Sequence, residues 1–254
     1  MEKKDESAML KNRLMELSRR SFEHGICLFS DFLDASGIST FEEIKRSLSP
    51  CGVILSGGFR DAERMMIGFF PEDTIEDEVQ FPIAFLHAAP KAPKYSEELT
   101  HRDYLGALMN LRIERSRLGD LIVKENEALI ICEESLSGLI ISELTRVRRT
   151  EVICKKEESF PEDFLPKREL CEGTISSLRL DALLSRALNI SRGNSGELIT
   201  SGRVLINGRE VNGQSYVPKP DDRISVRGFG KLRFLESSGE TKKGRLKVSW
   251  ERYV

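Results

Sequence analysis

The sequence predicts an α+β protein in three folded parts, and three observations along the chain predict it. Residues 7–48 place apolar side chains at three- and four-residue steps and lead into two strand-like runs. Residues 81–154 carry strand and helix signals in the order β-α-β-β-α-β. From Ile175 onward, two short helical segments run into a tight hairpin. At 254 residues the chain is long enough for two domains or three small ones. The expected division is 1–77, 78–156, a linker over 157–174, and 175–254.

In the first part, Met9, Leu10, Leu14, Leu17 and Ser21/Phe22 recur at helical steps, with Lys11, Arg13, Glu16, Arg19 and Arg20 between them. A second helical segment is expected through Phe29, Phe32 and Leu33, stopping near Ser36-Gly37. A third starts at Ser39 or Thr40, where Glu42 and Glu43 favour the positive end of the helix. Residues 52–58 and 64–70 read as strands joined by a loop around Arg60-Asp61, and Pro71 closes the unit. Gly57-Gly58 reads as a turn.

In the second part, strands are expected at 81–87, 119–123, 128–132 and 151–154, with helices at 100–113 and 135–147. This order is the split-βαβ topology of ferredoxin-like and RNA-recognition-motif folds, which host many functions. An ordinary RNA-recognition motif stacks bases on central-strand aromatics. These strands offer Leu, Ile, Val and Cys instead, plus Phe81 and Phe85, so stacking is not the expected mode. Thr100 with Asp103 reads as a helix-start device with His101 exposed beside it, and capping outranks acid–base work for the group. Residues 155–172 are charged, contain Pro161 and Pro166, and read as linker.

Charge separates the last part from the rest. The chain's net charge is −2, yet residues 175–254 hold 15 basic and 8 acidic residues, net +7, which leaves −9 on the remainder. A basic module on an acidic body points to a polyanionic partner. Leu180, Leu183, Leu184 and Leu188 form one helical stripe that leaves Arg179 and Arg186 outside it. Ser191 is the N-cap of a second helix, Leu198 and Ile199 face inward, and Gly202 stops it. Val204–Ile206 and Arg209–Val211 flank Asn207-Gly208, a strong hairpin signal. Residues 223–226 are a further strand, and 231–235 with 245–250 a closing hairpin.

This series resembles the S4 (αL-type) RNA-binding domain. The matches are Arg179-Leu180-Asp181, Ser191-Arg192, Leu198-Ile199 with Gly202, Val204 with Ile206-Asn207-Gly208, and Asp222 with Ile224 and Val226. Gly193 and Gly196 depart from the family pattern. The resemblance implies that the start of the second helix and the adjoining strand contact structured RNA. Arginine suits that task, because its planar fork fits phosphate and stacks on bases. The expected RNA-binding residues are Arg179, Arg186, Ser191, Arg192, Asn194, Arg203 and Asn207, with Arg179, Arg192 and Arg203 as the centre. Asp181 reads as structural, and Asn207 chiefly as a hairpin residue. Arg112, Arg115 and Arg117 form a candidate second basic patch, set against the reading of a solvated helix end.

Several classes are excluded by pattern. No apolar run is long enough to span a bilayer, and the charged start, MEKKDESAMLKNRL, is not that of a secretory signal. The five cysteines are scattered without a CxxC pair, so buried thiols in a reducing cytoplasm are expected, with no disulfide framework and no metal site. Neither GxGxxG nor a Walker loop appears, and no cofactor is expected. The synthetase motifs of S4-bearing tyrosyl-tRNA synthetases are absent, and S4-bearing pseudouridine synthases and methyltransferases place the module first.

The runs Thr100–Met109 and Arg115–Val123, with Ser56-Gly-Gly-Phe and Ala62-Glu-Arg64, are similar to the YlmH-type family of bacterial S4 proteins. The resemblance implies a cytoplasmic, ribosome-associated RNA-binding factor acting on stalled large subunits that carry peptidyl-tRNA, linked by gene association to cell division. Its expected partners are ribosomal RNA of the large subunit and tRNA, with no membrane and no small-molecule substrate, and the protein is expected to be a monomer. An RNA-modifying or peptidyl-tRNA-processing enzyme, with S4 as targeting module, is the alternative. Residues 1–155 supply no nucleophile–base pair for it.

Overall fold

A computed structural model describes residues 2–211 and 213–253, with side chains from residue 6 onward. It divides into two compact units, Met1–Leu165 and Pro166–Val254.

The first unit opens with helix α1 (Glu2–His24), strand β1 (Leu28–Phe29) and helix α2 (Ala35–Ile44). Asp34 caps α2 by accepting from the Gly37 amide at 2.9 Å. Strands β2 (Gly52–Ser56) and β3 (Met66–Phe70) complete an antiparallel sheet of order β1-β3-β2. Leu14, Leu17, Phe41, Ile44, Ile67 and Phe69 form the core between the helices and this sheet. The second helix expected through Phe29, Phe32 and Leu33 is not formed. Leu28 and Phe29 pair with Phe69 and Gly68 instead, and the backbone of Leu33 bonds to that of Met65.

Next come β4 (Ile83–Pro90), α3 (His101–Asn110), β5 (Leu118–Lys124), β6 (Glu127–Glu133), α4 (Ser137–Glu143), β7 (Arg146–Val147) and β8 (Thr150–Glu157). The sheet order β5-β6-β4-β8-β7, antiparallel throughout, is that of the split-βαβ fold with one short added strand. On β4 the burial alternates strictly, and Ala84, Leu86 and Ala88 face a core with Tyr104, Leu108 and Ile140 of the helices. The helix expected over 135–147 is shorter, because Arg146 and Val147 turn back to pair with Glu151 and Thr150. At the start of α3, Asp103 accepts from the Thr100 amide at 2.9 Å and from its hydroxyl at 2.6 Å, the capping role expected.

The opposite face of this sheet is covered by its own unit. Phe32, Met66 and Ile131 are buried there, packed with Phe59, Phe81, Ile83, Phe85 and Phe160. Phe59 stacks on Phe160 at 4.3 Å between ring centres, and Phe85 meets Phe160 edge-on at 5.9 Å. Gly58, at φ +86°, lies so close that a Cβ there would stand 2.7 Å from the Phe85 ring.

The second unit contains β9 (Arg168–Ile175), α5 (Leu180–Ala187), α6 (Arg192–Thr200), β10 (Val204–Ile206), β11 (Arg209–Glu210), β12 (Arg223–Val226), β13 (Gly230–Glu240) and β14 (Leu246–Tyr253). They form one antiparallel sheet, β11-β10-β12-β13-β14-β9, over which Leu180, Leu183, Leu184, Leu198 and Ile199 close the core. The linker expected over 157–174 is therefore a strand in its second half, with Arg168–Ile175 paired along β14. Of the five cysteines, all free, only Cys132 and Cys154 are buried, while Cys27 is exposed.

Candidate RNA interface

The S4-like elements are built from local devices the sequence announces. Ser191 accepts from the Asn194 amide at 3.1 Å and starts α6, and Gly202 ends it at φ +68°. Gly196 is buried in α6 because Gln214 packs there: a Cβ would meet its Nε2 at 2.9 Å. Asn207 turns the β10–β11 hairpin at φ +49°. Its side-chain amide donates to Asp222 Oδ1 at 2.8 Å, and its oxygen accepts from the Arg223 amide at 3.0 Å. The other Asp222 oxygen accepts from Tyr216 Oη at 2.9 Å and from the Lys219 amide at 2.8 Å. Burial, and then this bond to Asp222, push the Tyr216 phenol up to about 12. Asn207 therefore locks the hairpin to the loop before β12, as its hairpin reading expects, and it remains exposed.

Asp181 organises the arginines. It lies in the first turn of α5, largely buried, with Arg179 Nε 3.3 Å from Oδ1 and Arg192 Nε 3.3 Å from Oδ2. Arg192 Nη2 also donates to Ser177 Oγ at 3.3 Å. Two cations share one carboxylate, so the group keeps a net positive charge. Both guanidinium-bearing side chains remain about half exposed, at 45% and 50%. The carboxylate thus fixes where the two forks point without neutralising them. Arg186, Asn194 and Arg203 are exposed on the same module. A concave groove of about 270 Å³ is lined by Arg186 and Arg192 together with Arg245, which sequence reasoning did not single out. Its signal was there: Lys242, Lys243, Arg245 and Lys247 make a basic run at the β13–β14 turn.

The second patch expected from Arg112, Arg115 and Arg117 does not assemble. Arg115 turns inward and donates to the carbonyls of Leu118 at 2.8 Å and Gly119 at 3.0 Å. Burial, and then the neighbouring Arg64, lower its pKa to about 10. Arg117 pairs with Glu133 at 2.6 Å and bonds Ser135 Oγ at 2.7 Å. Only Arg112, at φ +59° past the end of α3, is exposed.

Arg115 belongs instead to a latch that explains three of the sequence blocks. Arg64 donates to the carbonyls of Leu118, Phe32 and Arg115 at 2.8, 2.9 and 3.2 Å. Asp120 accepts from the amides of Glu63 at 2.6 Å and Arg64 at 3.1 Å. Gly57 makes the loop possible, since a Cβ there would stand 2.2 Å from that of Ala62. Ser56-Gly-Gly-Phe, Ala62-Glu-Arg64 and Arg115–Val123 thus meet as packing, joining the first sheet to the second.

Among the described residues, no group of three or more His, Cys, Asp or Glu side chains is placed to hold a metal ion. No described helix is long and apolar enough to cross a membrane.

Comparison with known proteins matches the two modules separately. Residues 77–160 match the family model "Putative RNA-binding domain in YlmH", and residues 178–224 match the S4 domain. The chain is 29% identical over 98% of its length to the "Ribosome-associated protein quality control protein P2" of Bacillus subtilis, of which it covers 96%. Among solved structures, the fold is shared with the "Cell division protein ylmH from Streptococcus pneumoniae", at TM-score 0.50 and 22% identity over 60% of this chain and 91% of that one.

Proposed function

For this chain, a member of the YlmH-type family of S4-domain RNA-binding proteins, we propose a non-catalytic role as a ribosome-associated factor. It docks on ribosomal RNA of the large subunit, near tRNA, through its S4 face, and acts in rescue or quality control of stalled ribosomes in the cytoplasm. The observation that carries the binding mode is the pair of half-exposed arginines, Arg179 and Arg192, held by one carboxylate. Guanidinium groups fixed in place lose little freedom on meeting phosphate, which favours structured RNA over diffuse attraction. The other module supports the same division of labour. Its sheet face, where an RNA-recognition motif stacks bases, is already filled by Phe59, Phe160 and Met66. The quality-control part of the reading leans on the name of the B. subtilis relative, and the large-subunit and tRNA parts on the family resemblance.

The test is sedimentation of the tagged protein with 30S, 50S and 70S particles, followed by crosslink mapping. Arg192→Ala is expected to weaken binding by roughly 1–3 kcal/mol and to flatten its salt dependence. Unchanged affinity in the folded variant removes Arg192 from the interface. Single-turnover assays on charged tRNA and unmodified ribosomal RNA test the enzyme alternative, and reproducible product would install it.

A further inference from the structure

We propose that the groove between α5, the start of α6 and the β9–β14 edge is a phosphodiester cradle. In it the C-terminal hairpin, outside the residues 178–224 matched by the S4 model, grips the backbone of the RNA that the S4 face holds. The proposal rests on the RNA-binding reading above and adds a second contact to it.

The groove takes a cation from each of three segments: Arg186 from α5, Arg192 from α6 and Arg245 from the turn just before β14. Ser176, Ser185 and Asn189 add polar groups, and no lining residue is acidic. Each arginine is positioned. Arg245 Nη2 donates to the Thr174 carbonyl at 2.9 Å, which pins one edge of its fork to β9 and leaves the rest facing out. Arg192 is held by Ser177 and Asp181. Arg186 lies across the strand at Gly173, where a Cβ would stand 2.5 Å from its Nε and 2.9 Å from its Cγ. The missing side chain at 173 is what gives this arginine its place.

Size and lining select the ligand class. About 270 Å³ is below the roughly 300–1,000 Å³ typical of small-molecule pockets, which are also mostly apolar. A shallow, polar, arginine-lined channel fits a stretch of charged backbone better than an enclosed base. Arginine forks bind phosphate oxygens bidentately, and three of them on one channel fit successive phosphates of a passing strand. Exposed Lys242, Lys243 and Lys247 continue the positive strip beyond Arg245.

The experiment compares the full-length protein with Arg192→Ala, Arg245→Ala, the double variant Arg186→Ala/Arg245→Ala, and Gly173→Ala. Binding to purified 70S ribosomes and to deproteinised ribosomal RNA is measured over a range of salt concentrations. Arg245→Ala is expected to weaken binding roughly three- to tenfold and to lower the salt slope by about one, and the double variant by about two. Gly173→Ala keeps every charge but displaces Arg186, so weakened binding there marks a shaped cradle rather than general positive charge. Melting curves and emission from Trp250, the sole tryptophan, verify the fold of each variant. If the double variant binds like wild type while Arg192→Ala is impaired, the cradle is overturned and the S4 reading stands. If Arg192→Ala also binds like wild type, both fall. Displacement of RNA by micromolar AMP or inorganic phosphate would assign the groove to a small anion and overturn the cradle.

Discussion

Arg192 and Asp181 face each other at 3.3 Å across the junction of two helices, and the same carboxylate meets Arg179 at 3.3 Å on its other oxygen. An acidic residue in the middle of a nucleic-acid face weakens attraction if it acts only by its charge. Here it sits in the first turn of α5, where the helix dipole favours it, and aims two longer cations outward. Asp181→Ala is expected to cost about 1–2 kcal/mol of stability, read by denaturant unfolding. Its salt slope for RNA binding should stay at least as steep as wild type, since no cation is lost. RNA binding as tight as wild type or tighter, now that a negative charge is gone, would mean that Asp181 organises nothing.

The Arg64 latch carries a larger share of stability. Its guanidinium is desolvated, which lowers its pKa, and it donates to three carbonyls drawn from separate segments of the unit. Arg64→Ala should destabilise the first unit by more than about 3 kcal/mol, and Arg64→Lys should not rescue it, because a single ammonium lacks the fork's reach. Gly57→Ala should have a comparable effect through its clash with Ala62 and the Arg64 carbonyl. Urea unfolding of the variants, with the S4 unit's RNA binding as control, measures this.

Arg117 gives a pH-dependent prediction. Its hydrogen bond is the largest influence holding the Glu133 carboxyl below its ordinary value of 4.5, with Ser135 adding to it. A depressed folded-state pKa means a stabilisation that is present above 4.5 and is lost as pH falls through the folded value. The stability gap between wild type and Arg117→Ala should therefore be visible at neutral pH and vanish in strong acid. RNA affinity of this variant should match wild type, since the side chain is engaged with Glu133.

Thiol reactivity should divide the cysteines sharply. Burial pushes the Cys132 thiol up to about 12 and the Cys154 thiol to about 11. Both should resist alkylation at neutral pH in the native protein, whereas exposed Cys27 labels readily. Mass-spectrometric mapping after brief iodoacetamide treatment checks the order, and early modification of Cys132 would contradict the packing of β6.

What could be read from the chain followed its short-range rules. The Ser191 cap, the Leu180–Leu188 stripe, the Asn207-Gly208 hairpin and the βαββαβ order are written within a few residues of where they act, and all appear in the structure. What escaped depends on distant partners. Phe29 looks helical by spacing, yet strand β3, about forty residues later, captures it. Residues 168–175 look like linker until β14, about eighty residues away, pairs with them. At the site the same division holds. Arg179 and Arg192 are legible through the motif, but Arg115 reads as surface charge because nothing local reveals the carbonyls of Leu118 and Gly119 that it seeks. Arg245 escapes because its value lies in a groove formed by three separate segments.

The filled outer sheet face also bears on how the protein is to be dissected. Cutting at the recognised boundaries, residues 77–160, would strip Phe32, Phe59 and Met66 from Phe81, Ile83 and Ile131 and leave Phe85 only Phe160 as an aromatic partner. Each wetted side chain of that size forfeits about 1.5–3 kcal/mol, and together they make an adhesive surface. An isolated fragment of that kind would clump, and any nucleic acid clinging to it would report the wound rather than the molecule. The boundary that keeps this face covered runs from α1 to Leu165.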